Sequence, residues 1–514
     1  MRKFKIDFET IKYPLIIMLM MSVLKGISNT ILSDAVAPYI GSSYQWLIGL
    51  MGIMQYFSSV VIQYLPFIFI IMYLVKTYRD QRIIVMFFVS FILIATTTAV
   101  VGSTSLPQQA YGSLFSLNLE KTLSINSIQV ILQPFRIGFF ATLISATIVA
   151  YSYRATRTRT RYALFNFIDK DSLATMYTVV ISFIVGLILV FVWPIVINIL
   201  FSIINWIGSD ISNPTHLYAY GILDKLLGIF ELSPLNKSTF LFQGMGGTWI
   251  SNTGVSFVGD ANIWKAVLNF SVFDTGFGRY MTPYYIINLF AIPGIFVGLI
   301  SLYTKKSERY NHAVLLIFLT IFTFIADLSL PVEIFIFITA PLLFVFHIII
   351  TGFLFAVLST SKIVLGSVFA DGVNNIAYGN GLELIGYLKN HNLVTTVISI
   401  FIIGVIVLLL YVFVTRIYYK HFAIGLINKY EIDHTVDQFL EIVGGIDNIE
   451  EINSSPFRVS VKLKRPQMFD YDLLEQSNVS RVNETRSEYA LYYGTISTII
   501  RSNVLLRKQL ISED

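Results

Sequence analysis

The sequence contains no cysteine at all, which excludes disulfide bonds, thiolate metal sites and any cysteine nucleophile. Charge is scarce as well: Asp, Glu, Lys and Arg together make up 13% of 514 residues, while 55% are hydrophobic. With a positive mean hydropathy, that balance excludes an ordinary soluble enzyme of this length. The net charge of +5 is too small and too dispersed to suggest nucleic acid. No small-residue cleavage site follows the first apolar run, Leu15 to Leu24, so the run is expected to be a retained first span. No cofactor or metal, and no catalytic residue, is expected.

What the chain has in abundance is apolar stretches of spanning length. They occur near Tyr13–Leu32, Trp46–Val75, Ile83–Gly102, Leu132–Tyr153, Thr175–Leu200, Tyr284–Leu302, Ala313–Ile325, Ile334–Leu358 and Val394–Val414. Basic residues flank them at Arg2, Lys3 and Lys5, at Lys76, Arg79 and Arg82, at Arg154, Arg157, Arg159 and Arg161, at Lys305, Lys306 and Arg309, and at Arg416 and Lys420. By the positive-inside rule these clusters and both termini are cytoplasmic. The Arg154–Arg161 cluster is expected to anchor the chain at the anionic cytoplasmic surface. The fold expected is mainly α: a polytopic membrane domain of about eight to ten spans plus re-entrant segments.

One stretch organises the rest. ADLSLPVEIFIFITAPLLFVFHIIITGFLFAV, Ala326 to Val357, is apolar enough for a bilayer yet carries Asp327, Pro331, Glu333, Pro341 and His347. Hydrocarbon excludes such residues unless protein or water surrounds them. The prolines cannot donate to a helix ladder, so the part near Leu328–Pro341 reads as re-entrant. A broken membrane helix with acids at its break reads as a substrate site. The expected substrate-binding residues are Glu333, Asp327, Ser329 and His347. Glu333 has a structural alternative as a cap for a half-helix N-terminus, His347 as a hydrogen-bonded packing group, and Ser329 as a hydroxyl bonded to its own backbone. Arg279 and Asn252, near the Gly-rich run Gly244 to Gly254, are lesser candidates.

HLYAYGILDKLLGIFELSPLNKSTFLF places Asp224, Lys225 and Glu231 in a candidate helix ended by a Ser-Pro. It reads either as a second re-entrant element or as an extracellular amphipathic loop. After Lys420 the pattern changes: a polar helix with Val436, Phe439, Leu440 and Val443 on one face stops at Gly444-Gly445, strand-like FRVSVKLK and EYALYYG follow, and TISTIIRSNVLLRKQL closes. Residues 421–514 thus read as a small cytoplasmic α+β domain after a membrane domain over 1–420.

The order of parts resembles the glucose-superfamily sugar permeases of the bacterial phosphoenolpyruvate-dependent phosphotransferase system, a membrane C component followed by a cytoplasmic B component. The motifs that carry the likeness are LSLPVEIFIFITAPLLFVFHIIITGFLFAV, matching at Pro331, Glu333, Ala340-Pro341, His347, Thr351-Gly352 and Phe355-Ala356, together with LILVFVWPIVI, YGILDKLLGIF and INLFAIPGIFVGLISLY. LEIVGGIDNIEEI and LYYGTISTIIRSNV are similar to parts of the B component. The resemblance implies a multi-pass protein of the bacterial cytoplasmic membrane that binds or moves a sugar-like solute, a homodimer with an elevator-like shift of its site-bearing half, and a phosphotransferase A component as partner.

It also implies a phosphoryl relay, and there the chain departs. Where the family carries its cysteine loop this sequence reads NSSPFRV, with Asn453 or Ser455 at the cysteine position and Arg458 alone of the basic pair. Leu330 replaces the glutamate of the family's TEP motif, with Asp327 as a substitute from the preceding turn, and Ser233 and Pro234 replace its paired histidines. Three readings follow: a sugar transporter in which phosphorylation is lost, a non-transporting sensor or interaction protein, or a C component served by another chain's B domain.

Overall fold

The computed structural model describes residues 8–513 except 34–35, 41–43, 103–104, 113–118, 124–127, 159–168, 274–275, 369–377, 423–428, 478, 480–481 and 486. The basic residues Arg2, Lys3, Lys5, Arg159 and Arg161 lie outside the described residues. Two compact units result: one is formed by 13–283 with 348–377, the other by 1–12, 284–347 and 378–514.

The first unit contains α1 (Phe8–Leu32, which begins in the other unit), α2 (Gln45–Gln63), α3 (Leu65–Tyr78), α4 (Arg82–Val101), α5 (Phe139–Thr158), the very long α6 (Lys170–Gly208), α7 (Pro214–Ile229), α8 (Ser233–Leu241) and α9 (Asp260–Phe270). Two hairpins interrupt them, β1 (Leu119–Leu123) with β2 (Ile128–Leu132), and β3 (Thr248–Ile250) with β4 (Ser256–Val258). The apolar stretch Trp46–Val75 is two helices rather than one span. Pro66 sits in the first turn of α3 and Tyr64 leaves helical geometry at φ −102°, ψ 9°, as expected just ahead of a proline that cannot extend the preceding ladder. Similarly, the stretch expected from Leu132 is helical only from Phe139, beyond Pro134.

Small residues bring these helices together, as packing within a bilayer favours. A Cβ added at Gly186 of α6 would lie 2.8 Å from Thr97 of α4, and the buried Ser182 hydroxyl of α6 donates to that of Ser90 at 2.7 Å. At one end of α4–α6, Tyr153 donates to Asp80 at 2.9 Å, Arg157 pairs with Asp171 at 2.6 Å and with Asp80 at 3.4 Å, and Arg82 also pairs with Asp171. Arg157 therefore fastens helix ends as well as supplying surface charge. Burial opposes ionisation of Asp80, but the Arg82 amide, the Tyr153 hydroxyl and the charges of Arg82 and Arg157 outweigh it and hold the carboxyl below its usual range.

The second unit continues with α10 (Thr282–Ile286), a π-helical turn (Ile287–Ala291), α11 (Ile292–Ile300), α12 (Lys306–Thr323), α13 (Ser329–Thr339), α14 (Pro341–Thr360, shared with the first unit from Ile348), α15 (Gly381–Tyr387) and α16 (Val394–Ile417). Seven helices or helix runs among the described residues are long and apolar enough to cross a membrane. The protein is a polytopic helical membrane protein. At 11 residues, α13 extends only about 16 Å, half of what a crossing needs.

Beyond α16 come α17 (Lys429–Ile442), β5 (Ile449–Ser454), β6 (Val459–Leu463), α18 (Tyr471–Gln476), β7 (Val482–Thr485), β8 (Glu488–Leu491) and α19 (Ser497–Glu513). The strands form an antiparallel sheet in the order β5-β6-β8-β7. Alternate residues of β6, Val459, Val461 and Leu463, are buried with Val436, Phe439 and Val443 of α17 and Ile500 and Val504 of α19 in one core. Gly444 and Gly445 stop α17 at φ 77° and 94°, a conformation that costs glycine little.

Candidate functional site

The site is built where α13, α14 and α16 meet inside the second unit. Ala340 turns out of helical geometry at φ −145°, ψ 64° before Pro341 opens α14, so the apolar run breaks where the prolines place the break. Glu333, on the second turn of α13, is 3% exposed, and His347 of α14 is 1% exposed. Their side chains meet at 3.2 Å, Glu333 Oε1 to His347 Nε2, and His347 Nδ1 lies 2.8 Å from the fully buried Tyr411 hydroxyl of α16. The imidazole thus bridges a carboxylate and a phenol, and the tautomer decides which neighbour accepts. Tyr411 reaches this point because α11 and α16 pack closely: a Cβ at Gly294 would meet the Tyr411 Cβ at 2.8 Å, and one at Gly298 would meet Thr415 at 2.7 Å.

Asp327 and Ser329 form a second pair. Asp327 Oδ1 accepts from the Ser329 amide at 2.9 Å, satisfying one of the donors that a helix start leaves open. Ser329 is buried one turn ahead of Glu333 on α13, and Leu330 is half-buried.

Two more buried polar residues, which sequence reasoning passed over, make long-range hydrogen bonds in this unit. Asn288, in the π-helical turn, is 1% exposed. Its amide nitrogen donates towards the carbonyls of Thr323 at 2.8 Å, Ala326 at 3.0 Å, Gly379 at 3.2 Å and Tyr378 at 3.4 Å, and its oxygen accepts from the Leu328 amide at 3.1 Å. One side chain therefore satisfies the backbone left open where α12 ends and α13 begins. Its signal was faint: an asparagine in an otherwise apolar run, INLFAIPG. Glu383 on α15 is a second buried acid, 4% exposed, accepting from Tyr285 at 2.7 Å and Tyr387 at 3.1 Å.

In the first unit, α7 and α8 form a hairpin with Asp224 and Lys225 buried at 2% and 3% exposure, and Lys237 lies 3.7 Å from Asp224. Enclosure of both charges supports the re-entrant reading over an exposed amphipathic loop. α7 rests on the later half of α14, where a Cβ at Gly221 would meet the Phe355 ring at 2.7 Å and Gly352 Cα at 2.9 Å. Arg279 is spent on backbone: its guanidinium donates to the Ile211 carbonyl at 2.6 Å and the Gly276 carbonyl at 2.8 Å. Asn252 is exposed on the β3–β4 turn.

The NSSPFRV loop joins the α+β part to the membrane helices of its own unit. The Ser454 amide donates to the Thr304 hydroxyl at 3.0 Å and the Thr304 amide donates back to the Ser454 carbonyl at 3.2 Å. Phe457 packs edge-on against Phe335 of α13 and Tyr419, and Thr498 of α19 donates to the Tyr419 carbonyl at 2.7 Å. Ser455 keeps its amide and hydroxyl turned to the Arg458 carbonyl.

The chain is similar to the PTS system glucoside-specific EIICBA component of Staphylococcus carnosus, 22% identical over 380 residues that cover 71% of this chain and 52% of that protein. It is also similar to the PTS system glucosamine-specific EIICBA component of Bacillus subtilis, 22% identical over 386 residues that cover 71% of this chain and 57% of that protein. The chain spans little more than half the length of these relatives. No family model matches. Among solved structures, the transporter ChbC, the IIC component of the N,N'-diacetylchitobiose-specific phosphotransferase system, superposes over 79% of this chain and 94% of its own with a TM-score of 0.31 and 12% identity.

Proposed function

We propose that the chain is a sugar-binding and sugar-moving membrane component of the phosphotransferase-permease type, with residues 1–420 as the membrane domain and 421–514 as a B-like domain that carries no phosphoryl group. The two similar EIICBA components support the sugar. The observation that carries the reading is a proline-broken apolar segment bearing a buried Glu333–His347–Tyr411 chain, since ionisable groups are retained inside a membrane domain chiefly where they line a pathway. In this proposal Glu333 and His347 accept and donate to sugar hydroxyls when their mutual bond opens, Ser329 adds a hydroxyl, and Asp327 holds the start of α13 in place. A sugar-phosphate product is not part of the proposal, because no cysteine exists to pass on the phosphoryl group. A homodimer in the bacterial cytoplasmic membrane with cytoplasmic termini, and docking of an A component, belong to the same reading.

The test is uptake of radiolabelled glucose and N-acetylglucosamine into proteoliposomes, with and without the general phosphotransferase proteins and phosphoenolpyruvate. Free sugar inside, independent of those proteins, is the expected result. Sugar phosphate that depends on them would show that the relay persists and defeat the reading. The near-complete burial of the Glu333–His347 pair favours a second reading, a sensor, and sugar binding without uptake would decide for it.

A further inference from the structure

The first unit holds an open cleft of about 810 Å³, lined by both polar and apolar side chains, that none of the functional residues above line. Its walls are the last turns of α6, the end of α8 with the Gly-rich run that follows, and the loop before β1. Asn198, Ser202 and Asn205 fall on one stripe of α6, and Thr239, Gln243 and Gln109 face them. Among the described residues, no Asp, Glu, Lys, Arg or His lines the space.

We propose that this cleft is a second carbohydrate site, selective for an uncharged sugar and separate from Glu333; the inference rests on the reading of the protein as sugar-binding. Each amide side chain offers a donor and an acceptor side by side, which matches vicinal hydroxyls that themselves both donate and accept. Phe201 supplies the apolar face on which the C–H side of a pyranose can rest. A phosphorylated or protonated sugar would surrender hydration with no counter-charge to replace it.

The walls are also fixed in advance. Arg136 donates through Nε to the Gln109 carbonyl at 2.9 Å and through Nη2 to the Tyr111 carbonyl at 3.0 Å, and its own carbonyl accepts from the Trp193 indole of α6 at 3.1 Å. Loop and helix therefore hold one spacing before any ligand arrives, which lowers the ordering cost of binding.

Binding to the E333Q protein in nanodiscs, read by titration calorimetry, isolates this cleft from the first site. N-acetylglucosamine should bind, and glucose 6-phosphate, or glucosamine at about pH 6 where its amine is protonated, should bind at least about tenfold more weakly. N198L with Q243L, and separately G244F, should each weaken N-acetylglucosamine binding by at least about tenfold. Gly244 has open space about its Cβ position, so G244F enters the cleft from a position that accepts a side chain. N198D with N205D should reverse the preference in favour of protonated glucosamine, a gain that misfolding cannot imitate. Absence of N-acetylglucosamine binding, equal binding of the 6-phosphate, or binding untouched by the cleft variants would each overturn the proposal. Uptake is read separately: a protein that binds sugar in the cleft and never transports it refutes the transport reading and leaves this one standing.

Discussion

At the scale of single residues, the Glu333–His347–Tyr411 chain makes opposite substitutions unequal. H347L leaves the Glu333 carboxylate buried without its imidazole, and loss of one partner from a buried pair costs about 3–5 kcal/mol. E333Q keeps the shape and a hydrogen bond to His347, so its cost should be nearer about 1 kcal/mol. Thermal unfolding in nanodiscs should therefore rank H347L well below E333Q, while uptake is lost in both. Near-equal stability would show that the pair is not what holds α13 to α14. Asn288 invites a similar comparison: N288L matches its size but leaves the Thr323 and Ala326 carbonyls and the Leu328 amide unpaired, for about 1–3 kcal/mol for each buried group left unsatisfied. Limited proteolysis near 326–328 should report the loosened break.

Glu333 and His347 were legible in the sequence because an acid and a histidine stand out in an apolar run beside prolines. Asn288 and Glu383 were not. Their importance lies in partners 35 to 91 residues away for Asn288 and 98 away for Glu383, and no local spacing announces such a meeting. Asp327 was noticed as an acid, but its use as a helix-start acceptor depended on the path of the backbone after Ala326.

At the scale of elements, an interrupted piece near Leu328–Pro341 was readable from proline chemistry, whereas the apolar stretch read as Ile334–Leu358 divides between α13 and α14 at Ala340-Pro341. The split of the second long apolar stretch at Tyr64 was equally encoded by Pro66, yet hydropathy alone blurred α2 into α3. In the C-terminal region β6 and β8 showed the alternation of a strand buried on one face, whereas β5 and β7 did not: β5 runs buried, exposed, exposed, buried across a register shift between Ile449 and Glu451. The α7–α14 crossing yields a prediction of its own. G221V places branched carbon where Phe355 and Gly352 already stand, so overpacking should cost about 1–3 kcal/mol, whereas G228V, at a position with open space, should leave the melting temperature nearly unchanged apart from helix propensity.

At the scale of the whole molecule, the absence of cysteine becomes an experimental asset. T304C with S454C introduces the chain's only two thiols at positions already joined by reciprocal hydrogen bonds. Mild oxidation should close a disulfide and shift mobility on a non-reducing gel; failure to close would show that the NSSPFRV loop does not rest on Thr304. The charged cluster at the ends of α4, α5 and α6 predicts an acid limit. Asp80 has a depressed folded pKa, so its contribution is present above the ordinary aspartate value of about 3.9 and fades as pH falls through the lower folded value. Thermal scans between about pH 6 and 3 should show a loss of stability that D80N flattens.

The 39 residues of α6 amount to about 58 Å of helix, nearly twice the hydrocarbon thickness of an ordinary bilayer. A rod that long must lean, or project into water, or do both, and Pro194 within it gives it a place to bend. Exposed apolar residues, Phe183, Ile188, Ile195 and Ile203 among them, occur along its length, the kind of surface that a bilayer-crossing helix offers to acyl chains. Lipid chain length is then a control on how α6 lies, and thicker bilayers should favour the steeper rod.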